Sequence, residues 1–182
     1  MALSTLWAYG LSWDDSLAPV KTLNEMERSA LQSQLEKELN TPLTTSMGRL
    51  FDAIAALTGV RQTISYEAQA AIELEGLVDR AESGYYPFII TAPEIDLGPM
   101  LSALLDDLRG GASQPTMAAR FHNTIARLSL ALAQQVQQKY HINRFVLSGG
   151  VWQNQVLLEK TLDLFYQNDI APLVHRQTPP ND

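Results

Sequence analysis

The feature that most restricts the fold lies near the C-terminal end, where two short apolar runs enclose a glycine pair and a helical pattern. Residues 144–147 and 170–175 have the aliphatic and β-branched composition of strands. Between them, Ser148-Gly149-Gly150 is a turn signal, and residues 151–167 follow the period of an amphipathic helix. A strand, a turn, a helix and a strand make a βαβ unit with parallel strands and a right-handed crossover. The sequence therefore predicts a small parallel sheet here.

Helical periodicity dominates the remainder of the chain. Residues 24–39 repeat apolar side chains at helical spacing, and Asn24 with Glu27 has the arrangement of an N-terminal capping box. Pro93 bounds a short predicted strand over residues 87–91, and residues 110–115 are the most loop-like segment. We therefore expect a mainly helical α/β fold with a small, largely parallel sheet. The other predicted helices cover residues 47–58, 66–80 (with Ser65 as the cap), 97–108 and 117–140.

The charge and the composition exclude several classes of protein. The 182 residues contain 13 Lys and Arg against 20 Asp and Glu, and this net charge of −7 argues against a broad nucleic-acid surface. The absence of cysteine excludes disulfides, thiolate zinc sites and a cysteine nucleophile. The sequence contains no stretch approaching the ~18 apolar residues of a membrane span, and it begins without the basic segment of a secretory signal. We therefore expect a cytoplasmic, single-domain protein that does not enter a membrane.

The glycine pair is the strongest local signal for chemistry. Gly149 and Gly150 follow a strand directly, so a ligand could approach the backbone closely. The helix that follows offers backbone N–H groups and the positive end of its dipole, which suit a nucleotide phosphate. The same pair also makes a plain strand-to-helix turn, and the spacing alone favours this structural explanation because a bare glycine pair is a weak signal for a ligand.

Other polar residues have ordinary structural explanations. Asp52 lies on the polar side of a predicted helix, where a solvated carboxylate needs no function. Glu67 is expected in the first turn of the next helix, where its charge favours the helix dipole. His122, His141 and His175 lack the spacing of a histidine metal site, and His122 is expected to be a half-buried structural residue. These residues alone indicate a helical protein with a candidate nucleotide-facing turn.

Five segments form a set of motifs along the chain: residues 46–57 (SMGRLFDAIAAL), 66–75 (YEAQAAIELE), 121–124 (FHNT), 147–154 (LSGGVWQN) and 180–182 (PND). They extend from residue 46 to the last residue, whereas the first 45 residues contain no comparable motif. Taken together and in this order, the five segments resemble the HypF family, the carbamoyltransferases of nickel–iron hydrogenase maturation.

The resemblance implies a fold and an activity. Residues 1–182 would be the C-terminal half of a Kae/TsaD-like domain, which is the second lobe of an actin-like ATPase (ASKHA) domain. Residues 1–115 would form a mainly helical region, and residues 116–182 a helix and the βαβ unit that face the nucleotide. Carbamoyl phosphate and ATP would give carbamoyl-adenylate, whose carbamoyl group passes to the C-terminal cysteine of a partner, HypE.

The same resemblance implies roles for individual residues. Asp52 would bind the ribose or adenine side of ATP or carbamoyl-adenylate, and Glu67 would lie in the segment that closes over the nucleoside. Asp182 would help to bind a metal ion (a divalent ion, iron or zinc) whose histidine ligands lie in the other lobe. We expect these groups to converge on one wall of a cleft. The nucleotide-binding positions in the glycine turn would be Ser148, Gly149, Gly150 and Asn154.

Departures from the family pattern add further expectations. Ala68 replaces the usual glycine, and its methyl group would crowd a bound nucleoside. The family's upstream domains and first lobe have no counterpart in this sequence, so the chain resembles an excised piece and no catalytic residue is assigned to it. Because the family's active site forms between two lobes, we expect this piece to be inactive alone. It would dock onto the missing lobe and upstream domains, and would self-associate through exposed apolar surface.

Two alternatives remain open. A piece of a tRNA threonylcarbamoyl transferase would share the G-G-V-x-x-N turn and an F-D helix, but those enzymes usually lack an arginine at the position of Arg49 and have a basic tRNA face. A non-catalytic module would use the helices over residues 24–39 and 97–108 to dock a partner protein. Retention on tRNA would favour the first alternative, and a clean monomer in light scattering would count against self-association.

Overall fold

The computed structural model describes residues 1–175 and Pro180, and the chain divides into two compact units, Met1–Gly76 and Leu77–Asp182. The predicted mainly helical α/β class is confirmed, and the assignment of residues 1–182 to one domain with two regions stays a prediction. The first unit contains α1 (Ala2–Ala8), α2 (Ala18–Lys21), α3 (Glu25–Glu36), α4 (Met47–Leu57) and α5 (Gln69–Gly76). The second unit contains β1 (Ile89–Thr91), β2 (Glu94–Asp96), α6 (Gly98–Arg109), α7 (Gln114–Tyr140), β3 (Val146–Leu147), α8 (Gln155–Gln167) and β4 (Leu173–Val174).

Helix α4 is the centre of the first unit. Its first turn is capped by Ser46, whose side-chain oxygen accepts a hydrogen bond from the Arg49 backbone N–H. One face of α4 is fully buried, and α1, α2 and α5 pack against this helix. The large buried side chains of this face are Phe51, Ile54 and Leu57. Burial of each such side chain stabilises the fold by on the order of 1.5–3 kcal/mol.

Helix α3 has the predicted capping box but buries none of its apolar side chains. Asn24 and Glu27 exchange two hydrogen bonds of 2.9 Å, as the sequence predicts. None of the residues of α3, which lies wholly within the described range, is buried, and Met26 is 81% exposed. Helix α6 is different, because the side chains of Met100, Leu101, Leu104 and Leu105 on its apolar side are buried. A docking role for residues 97–108 is therefore wrong for that apolar side, and one for residues 24–39 stays a prediction.

Helix α5 begins later than predicted. The sequence suggested a helix from Tyr66, but residues 66–68 form a turn and the helix begins at Gln69. The reason is Ala68, whose φ of +61° lies in the left-handed region and is incompatible with a right-handed helix. Glu67 is consequently not in the first turn of a helix, and Ser65 donates its backbone N–H to Gln69 Oε1 at 2.7 Å instead of capping.

The backbone of Ala68 explains why a glycine suits this position. We predict that Ala68→Gly raises the free energy of unfolding by about 0.5–1 kcal/mol, because the left-handed conformation strains alanine by more than glycine loses in entropy. Denaturant unfolding measures this change. Ala71→Gly, inside α5, is the matched control and should destabilise by about 1 kcal/mol. Destabilisation by both substitutions would contradict the prediction.

The second unit is built on the long helix α7. Its N-terminus is capped by Ser113, and its C-terminus ends at His141, which has a left-handed φ of +57°. Helix α8 packs against α7. Strands β3 and β4 pair in parallel with Val146 opposite Leu173, which confirms the predicted βαβ unit.

Two features of this unit differ from the predictions, namely an additional strand and the start of α8. Strand β1 pairs antiparallel with β2, a hairpin of which only the first strand was expected. Helix α8 begins at Gln155 rather than at residue 151, because Gly150–Gln153 winds as a 3-10 helix and Asn154 starts the α-helix. Within the described residues, no helix has the length and apolar character that would let it cross a membrane.

Candidate functional site

The glycine turn follows β3 directly. Gly149 has φ +103° and ψ 156°, a backbone conformation that is essentially restricted to glycine. Its N–H donates a 2.6 Å hydrogen bond to the carbonyl of Pro180, which helps to hold the turn. A Cβ atom built on Gly149 or Gly150 would meet no heavy atom of the described residues within 4 Å. As far as residues 1–175 and Pro180 are concerned, the space beside the turn is therefore open to an approaching group.

Asn154 links the turn to α8. Its side-chain Oδ1 accepts a hydrogen bond of 2.8 Å from the Leu157 backbone N–H, which caps the helix. Its Nδ2 lies 2.9 Å from Nε2 of His122 on α7. Only 9% of Asn154 is exposed. The predicted nucleotide contact of Asn154 would thus come from a side chain already fixed by two internal hydrogen bonds.

His122 is more deeply buried than the sequence suggested. It was expected to be half-buried, but its exposure is 0%. Its Nδ1 lies 2.8 Å from the Ala118 carbonyl, one helical turn earlier. Burial lowers the pKa of His122 to about 4, with a smaller contribution from the charge of Lys160. The imidazole is therefore neutral at physiological pH.

The residues that follow His122 hold a loop of the same unit. Asn123 Nδ2 donates to the carbonyls of Glu82 and Gly84 at 3.0 and 2.7 Å. Thr124 Oγ1 accepts the Tyr86 backbone N–H at 2.8 Å. The sequence singled out the F-H-N-T segment only as a family motif and assigned it no contacts. Nothing in its spacing could have revealed these partners, which lie about forty residues away in the chain.

Ser148 stands at the exposed end of the turn beside a histidine that the sequence analysis did not place there. Its Oγ lies 3.1 Å from Nε2 of His175, and both side chains are exposed. These two residues directly follow β3 and β4. Since the carboxyl ends of parallel strands lie at the same edge of a sheet, the βαβ pattern was the signal that could have paired them.

The predicted site residues fall into two groups. Ser148, Gly149, Gly150 and Asn154 lie together in the turn of the second unit. Asp52 and Glu67 belong to the first unit, and their convergence with the turn on one cleft wall stays a prediction.

The acidic site residues differ in their surroundings. Asp52 is half-buried on α4, and burial raises the pKa of its carboxyl against the opposing charge of the N-terminal ammonium group. Glu67 is exposed. Asp182 lies outside the described residues. Across residues 1–175 and Pro180, the structure brings together no group of three or more His, Cys, Asp or Glu side chains that could hold a metal ion.

A family model and similar curated proteins identify the same family for this chain. Residues 1–182 match the family described as carbamoyltransferase, Kae1-like domain, second subdomain. The chain is 33% identical to a carbamoyltransferase HypF of Synechocystis sp.. The match covers 100% of this chain and 25% of that relative. A probable carbamoyltransferase HypF of Methanocaldococcus jannaschii is 28% identical, again over 100% of this chain and 24% of the relative.

Solved structures agree with these relatives. A crystal structure of full-length HypF in the phosphate- and nucleotide-bound form superposes with a TM-score of 0.85 at 32% identity, over 90% of this chain and 22% of that one. The fold also matches T. kodakarensis HypF, with a TM-score of 0.74 at 24% identity over 86% of this chain and 20% of that one. The chain thus spans about a quarter of the length of the relatives it matches.

Proposed function

The chain belongs to the HypF family of carbamoyltransferases, and from this premise we propose that its glycine turn receives the phosphate groups of ATP or of carbamoyl-adenylate. The carbamoyl group of that adenylate would pass to the C-terminal cysteine of HypE, the proposed partner. The observation that supports this role is the open space beside Gly149 and Gly150, where a Cβ would meet none of the described atoms. Membership of this family favours hydrogenase maturation over the tRNA-modifying alternative.

The chemistry of the turn suits an anion. A glycine backbone allows a phosphate oxygen to approach the turn closely, and the Gly149 N–H itself already donates to the Pro180 carbonyl. Helix α8, which is 13 residues long, begins five residues after Gly150, and the positive end of its dipole lies at this N-terminal end. One solved relative, the full-length HypF whose title describes a phosphate- and nucleotide-bound form, supports nucleotide use in the family.

The proposed roles are divided between residues of this chain and groups outside it. The turn would bind and orient the nucleotide, and Ser148 with His175 would offer further hydrogen bonds at its exposed end. Asp52 and Glu67 would contact the nucleoside, and Asp182 would supply one ligand to a metal ion that neutralises phosphate charge. Because this chain spans only about a quarter of its relatives, the remaining groups of the reaction would come from elsewhere, from the other lobe in particular.

Isothermal titration of the 182-residue chain with ATP tests this proposal directly. We expect saturable binding of Mg-ATP that is tighter than binding of adenosine, because the turn would contact the phosphates. The chain alone should give no ATP–pyrophosphate exchange that depends on carbamoyl phosphate. Equal affinity for adenosine and ATP would contradict a phosphate-facing turn, and exchange activity would contradict the need for a second lobe.

A further inference from the structure

The F-H-N-T segment contacts the candidate site, although the proposed function gives it no role. Its second residue, His122, is completely buried and faces Asn154, the residue that joins the glycine turn to α8. The contact joins residues 32 positions apart and connects α7 to the turn.

The hydrogen-bond partners of His122 determine which of its two ring nitrogens carries the proton. The Ala118 carbonyl can only accept, so Nδ1 must be the protonated nitrogen of the ring. Burial keeps the ring neutral, and Nε2 is then an acceptor. Asn154 must therefore present its Nδ2 group to His122, and its Oδ1 necessarily faces the Leu157 N–H. The tautomer of the buried ring and the Leu157 N–H thus require the same orientation of the Asn154 amide.

We propose that His122 is a positioning residue for the glycine turn: through Nε2 it fixes the orientation of the Asn154 amide, and Asn154 in turn fixes the junction between the turn and α8. A flipped Asn154 would set Nδ2 against the Leu157 N–H, two donors facing each other, and the helix would lose its cap. The effect on ligand binding rests on the proposed function, whereas the orientation of the amide does not.

Nitrogen-15 NMR of the wild-type chain tests the orientation alone. The long-range spectrum of the imidazole should show His122 as the Nδ1–H tautomer at neutral pH, with Nε2 unprotonated. The side-chain amide resonances of Asn154 should shift when His122 is replaced. An Nε2–H tautomer for His122, or an Asn154 amide that does not respond, would overturn the proposal.

Two substitutions at residue 122 separate positioning from packing. In His122→Gln, the Oε1 atom reaches the place of Nε2 and still accepts from Asn154. In His122→Asn, the shorter amide reaches only the place of Nδ1 and still bonds Ala118. We expect His122→Gln to hold ATP affinity within about threefold, and His122→Asn to weaken it by about tenfold, the effect of one lost hydrogen bond. Equal weakening by both variants would overturn the proposal, because the ring would then act only by filling space.

A double substitution tests whether His122 acts through Asn154. Adding His122→Asn to Asn154→Ala should weaken ATP binding no further than Asn154→Ala does, within about twofold. Additive losses would contradict an action through Asn154. If the wild-type chain fails to bind ATP, the proposed function is at fault, and the NMR tautomer still decides the role of His122.

Discussion

Gly150→Val is expected to abolish ATP binding while the chain remains folded. The backbone of Gly150 is not in the left-handed region, and a Cβ there meets none of the described atoms within 4 Å, so we expect valine to leave the fold of the described residues intact. The same branched side chain would occupy the space through which phosphate approaches the backbone. We expect the loss of backbone hydrogen bonds to a charged group, each about 1.5–3 kcal/mol, to weaken binding by on the order of 100-fold. Titration with Mg-ATP checks the loss of binding, and thermal unfolding measured in parallel checks that the chain remains folded.

Two alanine variants provide matched controls for this prediction. Gly150→Ala adds one methyl group in the same open space and should weaken ATP binding less than valine does. Gly149→Ala should instead destabilise the fold by about 1–3 kcal/mol, because φ +103° with ψ 156° is not accessible to alanine without strain. Wild-type affinity in Gly150→Val would contradict a ligand at this face of the turn.

Acidification is expected to destabilise the chain by about 3 kcal/mol between pH 6.5 and pH 4 through His122 alone. Burial lowers the pKa of His122 from its ordinary value of 6.5 to about 4, so the unfolded chain binds a proton in this range and the folded chain does not. The contribution of the neutral ring to the free energy of unfolding is therefore fully present above pH 6.5, and it is lost progressively as the pH falls to 4. Urea unfolding at several pH values measures this slope.

His122→Gln isolates this contribution, because glutamine does not titrate. The free energy of unfolding of this variant should change less with pH over the same interval. Asp52 acts in the opposite direction, since its raised pKa gives stability at low pH that is lost as the pH rises through that pKa, but it is common to both proteins. Parallel pH profiles for the wild type and His122→Gln would contradict the prediction.

Local signals in the sequence predicted much of the fold. Asn24 with Glu27 marked the start of α3, and the glycine pair between two apolar runs marked the βαβ unit. Strand β2 escaped prediction because Glu94–Asp96 has little intrinsic preference for a strand and is defined by its pairing with β1. The start of α5 depends on the left-handed backbone of Ala68, which its side chain does not reveal.

The candidate site was predictable only in part. The residues of the turn are neighbours in sequence, so one motif identified Ser148, Gly149, Gly150 and Asn154 together. The support for Asn154 was not predictable, because His122 reaches it through tertiary packing between α7 and α8. An isolated histidine beside Phe121 gives no sign of such a contact.

The hydrogen bonds from α7 to the loop around Gly84 have an evolutionary consequence. Asn123 and Thr124 bind main-chain groups of Glu82, Gly84 and Tyr86 rather than their side chains. Every residue type presents a main-chain carbonyl, and every type except proline presents an N–H, so these bonds do not involve the side chains of the loop. Positions 83 and 85 can accordingly drift during divergence without loss of these bonds, whereas a change at 123 or 124 must be compensated elsewhere.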